Sequence, residues 1–348
     1  MSFKSTARRT LKYAAIRGGL EAVALTRAGA LWPSAGGRGV VLTLHHVRPA
    51  EPHRFAPNAL LSVTPQFLDE AIRACIESGL VPVALEDLPR LLADPADERR
   101  FVAFTLDDGY RNNAEHAAPV FRRHGVPYTI FITRGFVEGT RSAWWETAEA
   151  LAREAIEVEF DFGAGVEQVP MRTLAEKLAA FDRFSRFVQT TEEDQAIGLL
   201  DRLAEAHGID PAGIIDQLVM DASELRELSR DPLVRFGAHT LTHVNLRRVD
   251  DARLRAELTG SACAVAEFTG REPQSLAYPY GYAAAVGERE FKAAADAGFK
   301  VAVTTQPGVL GPHNLQRPTA YGRVSLNGLY QNKRLVKALL TGIPFRLM

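Results

Sequence analysis

Arg100-Phe101-Val102-Ala103-Phe104-Thr105-Leu106-Asp107-Asp108-Gly109-Tyr110 decides how this 348-residue chain is read. The mostly apolar, β-prone run Arg100 to Leu106 follows the polar segment Asp94 to Arg99, which is the pattern of a buried strand. Two carboxylates stand where it ends. Adjacent residues inside a strand face opposite sides, so Asp107 and Asp108 can serve one site only where the chain turns, and Gly109 permits such a turn. A second strand-like run, Leu233 to Ala238, leads into His239-Thr240-Leu241-Thr242-His243. The i,i+4 spacing of His239 and His243 brings two imidazoles together if that segment is helical or tightly turned.

One Asp plus two His could hold a zinc-like ion and leave a fourth position for water. The remaining carboxylate could then take a proton from that water. Each motif alone has a plainer reading, a turn in one case and two unrelated histidines in the other. Placed directly after two strand-like runs, they point together to metal-assisted hydrolysis. The carboxyl ends of strands are also where α/β barrels carry their chemistry.

Outward from these runs, strand-like and helix-like segments alternate. Helical patterns cover about Pro65 to Ser78, Asn112 to His124 and Asp251 to Thr269, and strand-like runs include Tyr128 to Thr133, Gln274 to Tyr278 and Lys300 to Thr304. Such alternation predicts an α/β fold with a parallel sheet or barrel. Between about Arg141 and Asp231 the pattern changes to a mostly helical insertion, with helices over Leu174 to Val188 and Glu192 to His207 and a helix start at Asp221. Its Trp145 could face a sugar, although neighbouring aromatics more often pack in a core.

These motifs resemble the polysaccharide deacetylases of the NodB-homology family, carbohydrate esterase family 4. Thr105 to Gly109 matches the family's Thr-Phe-Asp-Asp-Gly, with Leu106 in the Phe place, and His239 to His243 matches its two-histidine motif. Tyr278-Pro279-Tyr280-Gly281 matches its aromatic-Pro-aromatic-Gly turn, and Asp296-Ala297-Gly298-Phe299 a fourth motif. The resemblance covers most of residues 40 to 330. It implies a distorted (β/α) barrel, a divalent ion (zinc) on Asp108, His239 and His243, and Asp107 as catalytic base. It also implies a glycan substrate containing N-acetylglucosamine, lying against Tyr280 and Pro279.

Two departures redirect the search for partners. Ala277 stands where the family commonly has an Arg that orients the catalytic Asp, and no late Leu-x-His motif supplies a general acid. His313 sits in a Gly-Pro-flanked loop without matching context. At the other end, Val40-Val41-Leu42-Thr43-Leu44-His45-His46-Val47 resembles the Tyr-His-x-Val segment of the poly-N-acetylglucosamine deacetylase branch, whose barrel is circularly permuted. That alignment selects His45 as the acid, whereas strand alternation alone does not choose between His45 and His46. For the missing guanidinium, Arg323 is the candidate and Arg317 its competitor, since an Arg can hold a carboxylate with two parallel hydrogen bonds. Two other readings stay open: a C–N hydrolase of a non-sugar amide, and a glycan-binding protein that has lost turnover.

Composition sets the frame. The formal charge of −1 gives no bias toward nucleic acid, and two cysteines, Cys75 and Cys263, make no disulfide scaffold. Residues 1–37 read as an N-terminal helical segment, 38–330 as the deacetylase-like domain and 331–348 as a C-terminal helix. Lys4, Arg8, Arg9, Lys12 and Arg17 precede a moderately apolar stretch that Glu21 and Arg27 interrupt, unlike the uninterrupted core of a secretory signal. The expectation is a cytoplasmic enzyme whose N-terminal helix packs on the domain, with peripheral membrane contact through that helix as the alternative.

Overall fold

The computed structural model describes residues 2–26, 28–50 and 53–346, with side chains from residue 13 onward. Eight strands make one sheet: β1 (Gly39–Leu44), β2 (Leu80–Pro82), β3 (Arg100–Leu106), β4 (Tyr128–Ile132), β5 (Val234–Ala238), β6 (Ser275–Ala277), β7 (Val301–Val303) and β8 (Val324–Ser325). Their order is β7-β6-β5-β4-β3-β1-β8, with β2 also paired to β3, and every pairing is parallel. Tyr321, just before β8, bridges Val303 of β7, so the two ends of this curled sheet meet in a distorted barrel. The N-terminal β1 lies between β3 and the C-terminal β8, as a permuted strand order requires.

The near-continuous apolar runs follow from burial on both faces. In β1, Val40, Leu42 and Leu44 join the large core under the helices, while Val41 joins an inner cluster with Phe101, Ala103, Phe131, Ala277 and Val303. In β3, Val102, Phe104 and Leu106 take the helix side. Each such side chain contributes roughly 1.5–3 kcal/mol by leaving water. The same alternation sets the parity of whatever follows each strand.

The segment between about 141 and 231 departs in one respect from the mostly helical expectation. It holds the helices Trp144–Glu154, Leu174–Thr190, Glu193–Ala206, Pro211–Leu218 and Ala222–Leu228, but also an antiparallel hairpin, Glu157–Asp161 with Val166–Pro170. Glu157 to Asp161 alternates exposed and buried residues, and Val158 and Phe160 close over a separate apolar cluster containing Leu151, Phe184 and Leu200. The helix expected from Asn112 to His124 also differs, opening with a π turn over Asn113–Ala117 before Ala118–His124. The chain after 331 forms the short helix Lys333–Leu340 and a 3-10 turn.

The helix Ser2–Thr26 packs Leu20 and Val23 against Leu335, Ala338 and Ile343, and Glu21 pairs with Arg334 at 2.5 Å. Of the cations that motivate a membrane-facing reading, Lys4, Arg8, Arg9 and Lys12 lie outside the described side chains, and Arg17 is exposed. Among the described residues no helix is long and apolar enough to cross a membrane. Cys75 and Cys263 are both free thiols.

Candidate active site

Register brings the site together at the carboxyl ends of the strands. Leu44 pairs with Leu106, so His45 and Asp107 leave adjacent strands side by side. Ile132 pairs with Ala238, and Ala238 with Leu276, which lines up His239 with the turn after β6. Parity then selects among neighbours. Asp107 continues the inner-facing series Phe101, Ala103, Thr105, and His45 continues Val41, Thr43. His45 Nε2 stands 3.9 Å from Asp107 Oδ2. His46, of opposite parity, is buried on the helix side, with Nε2 3.3 Å from Glu146, Nδ1 2.8 Å from Asn112 Nδ2, and its ring stacked on Tyr110. The π turn serves this pair directly, since Asn113 donates to the His45 carbonyl at 2.8 Å.

Arg323 grips Asp107 with both arms of its guanidinium, at 2.6 and 2.7 Å, and also donates to Thr105 Oγ1 and the Thr304 carbonyl. Arg317, the competing candidate, is half exposed and pairs with Glu288. His313 is exposed in a short helix on the chain leading to β8. Burial pushes the Asp107 carboxyl up, but Arg323, helped by His239 and His45, outweighs it and holds the group below the usual carboxylate range. The carboxylate form is therefore the resident one.

Asp108, His239 and His243 form a separate cluster whose ligand-type atoms all lie within 4.8 Å of one another. Both histidine Nε2 atoms stand 3.5 Å from Asp108 Oδ1. Ligands held about 2.1 Å from one tetrahedral ion sit roughly 3.4 Å apart, so the spacing fits a shared cation. Two further observations support the fit. Asp108 Oδ1 is buried without a hydrogen-bond partner, and such an orphan oxygen is costly unless something else binds it. His239 Nδ1 lies 2.7 Å from the Ala277 carbonyl, which fixes the ring and leaves Nε2 as the free nitrogen. Burial pushes His243 down to about 3, so its ring is neutral. At His239 burial acts the same way, but the Asp108 and Asp107 carboxylates outweigh it and raise the group.

The backbone is bent to reach this arrangement. Segment 239–243 is a turn rather than a helix. Among the described residues, the non-glycine residues with positive φ are Asp108 (72°), Thr240 (66°), His243 (54°) and Tyr280 (63°), all in this region. Left-handed non-glycine residues cost of order 1–3 kcal/mol each and persist where the surroundings over-determine them. Here Glu257, on the helix Asp251–Thr269, accepts from the N–H groups of Leu241 and Thr242 at 2.8 and 3.0 Å. Thr240 Oγ1 accepts from His243 N at 3.0 Å. Gly109 (φ 69°) and Gly281 (φ 63°) complete the two Asp- and Tyr-bearing turns, and a Cβ on Gly281 would come within 2.5 Å of Thr305 N.

The aromatic residues form a wall. Trp145 is buried, donates its N–H to Tyr110 at 3.0 Å, and packs 5.0 Å from the His243 ring, so it backs the histidine instead of presenting an open face. Tyr280 packs on His243 from another direction at 5.1 Å, and Pro279 is buried beside it. The sequence assigned no polar role in the site to Thr105, Tyr110, Glu146, Glu193 or Glu257. Thr105 and Tyr110 flank the Asp-Asp-Gly run, so adjacency was their only signal. Glu146 and Glu257 carried none, being ordinary acidic residues of helices.

The family model for polysaccharide deacetylase matches residues 94–160 and 198–302. The chain belongs to this family. Membership makes it a hydrolase of N-acetyl amide bonds, in a family that acts on glycans and depends on a metal ion. Solved structures similar in fold include the deacetylase PplD of Streptococcus pyogenes in complex with acetate, at 16% identity and TM-score 0.53, covering 83% of this chain and 92% of that one. A polysaccharide deacetylase of Bacillus cereus has 14% identity and TM-score 0.53, covering 86% and 68%. IcaB of Ammonifex degensii has 17% identity and TM-score 0.50, covering 83% and 92%. No curated protein sequence matches the chain.

Proposed function

We propose that this deacetylase removes N-acetyl groups from N-acetylglucosamine-containing oligo- or polysaccharides, using zinc held by Asp108, His239 and His243. The observation that carries the reading is the Arg323-held Asp107 with His45 at 3.9 Å, beside a three-ligand cluster with an orphan carboxylate oxygen. The ion, when bound, supplies polarisation of the acetamide carbonyl and acidification of water. Asp107 takes the proton of the attacking water, its oxygens aimed by Arg323. His45 gives a proton to the leaving amine. The Tyr280 N–H, on its left-handed turn, donates to the developing oxyanion. Pro279 and Tyr280 shape the wall against the acetamide, with Trp145 behind His243. The likeness of Leu44 to Val47 to the poly-N-acetylglucosamine branch supports the choice of sugar.

The test is acetate release from chitooligosaccharides and from short poly-N-acetylglucosamine, with metal content measured on the same samples. Chelation should abolish release and zinc should restore it. Release unaffected by removal of every bound metal would overturn the metal assignment, and turnover of simple acetamides but of neither glycan would overturn the substrate.

His45→Ala should lower kcat roughly 10²–10⁴-fold, the range for one general acid. His46→Ala should act on stability instead, because Glu146 and Asn112 lose a buried partner at about 1–3 kcal/mol, while the folded fraction keeps most of its rate. Equal kcat losses in the two variants would leave no case for His45 as the acid.

A further inference from the structure

Glu193 lies outside both stretches matched by the family model, at the start of the insertion helix Glu193–Ala206. It is nonetheless only 3% exposed and reaches the active site. Its two oxygens are divided between two loops. Oε1 accepts the Tyr280 hydroxyl at 2.6 Å, and Oε2 accepts the backbone N–H of Asn245 at 2.9 Å. Asn245 follows His243 by two residues, and the Tyr280 ring packs on that histidine at 5.1 Å. The Tyr280 oxygen also receives the Trp144 indole N–H at 3.0 Å, so its own proton is committed to Glu193. His243 and Tyr280 both hold left-handed backbone, which needs outside support to persist.

We propose that Glu193 is a positioning residue: one carboxylate, delivered by the insertion, braces the His243 loop and the Tyr280 turn against each other. The insertion is thereby part of the catalytic machinery and not an appendage. A carboxylate suits the task because both of its oxygens accept. Glutamine offers one acceptor oxygen, and its amide nitrogen, a donor, would meet either the Asn245 N–H or the already committed Tyr280 hydroxyl proton. The inference rests on the zinc-hydrolase reading, and the experiment separates the two.

Zinc affinity by competition with a chromophoric chelator, kcat and KM for acetate release, and thermal unfolding of the metal-free protein are measured for wild type, Glu193→Gln, Glu193→Ala, Tyr280→Phe and the double variant Glu193→Ala with Tyr280→Phe. Glu193→Ala should weaken zinc binding roughly 10–100-fold, the usual loss when a ligand's support is removed, and lower kcat while KM changes less than about 2-fold. Glu193→Gln, which keeps the size of the side chain and one acceptor oxygen, should fall between. In the Tyr280→Phe background the Glu193→Ala effect should shrink, because one of its two arms is already gone. Unchanged zinc affinity and kcat in both Glu193 variants, with a lowered unfolding temperature alone, would overturn the brace and leave Glu193 a packing residue. The zinc measurement decides the brace even if no glycan is deacetylated, an outcome that counts against the substrate reading only.

Discussion

Asp107→Asn is expected to cut acetate release by roughly 10²–10⁴-fold, the share usually supplied by one positioned base, while zinc content stays at the wild-type level. The substitution keeps the size of the side chain and one acceptor oxygen but removes the capacity to take a proton at neutral pH. The two aspartates are separated by what holds them. Both Asp107 oxygens are occupied by Arg323, whereas Asp108 turns away at φ 72° and keeps an unpartnered oxygen 3.5 Å from each histidine. On the proposed mechanism, one reversal of the backbone makes a base and a ligand from consecutive residues. Loss of the ion together with activity in Asp107→Asn would contradict this division, because it would make Asp107 a ligand.

How much of this could be read from sequence depended on how local each relationship was. Asp107, Asp108, His239 and His243 announced themselves because each follows a strand whose run is mostly apolar, and strand ends are where a parallel barrel gathers its chemistry. The choice of His45 over His46 needed register: only the Leu44–Leu106 pairing places His45 beside Asp107 and sends His46 to Glu146. Arg323 could be nominated but not separated from Arg317, since it meets Asp107 across 216 residues and no spacing rule spans that distance. The hairpin Glu157–Asp161 with Val166–Pro170 did carry a signal, the strict alternation of Glu-Val-Glu-Phe-Asp, but its charged residues hid it inside a helical neighbourhood. Glu193 carried no signal at all, because its meaning is given by Tyr280 and Asn245, which a different part of the chain supplies.

Arg323→Met should be the most damaging change to stability among the site residues. The guanidinium is 1% exposed, and its four hydrogen bonds reach Asp107, Thr105 and Thr304. Removing it leaves a carboxylate fully buried beside another, and breaking one side of a buried pair costs about 3–5 kcal/mol. The damage belongs to the abandoned charge, so the double variant Asp107→Leu with Arg323→Met should recover much of the loss in unfolding free energy, although it has no base and no turnover. Arg323→Lys should keep part of the stability and still be slow, since an ammonium cannot reproduce the two-armed grip that aims the carboxylate. Arg317→Met is the control: a half-exposed arginine on Glu288 should change stability by no more than about 0.5 kcal/mol. If Arg323→Met unfolds no more easily than Arg317→Met, the Asp107–Arg323 pair does not anchor the site, and the orientation of the base must come from Thr105 and the strand end alone.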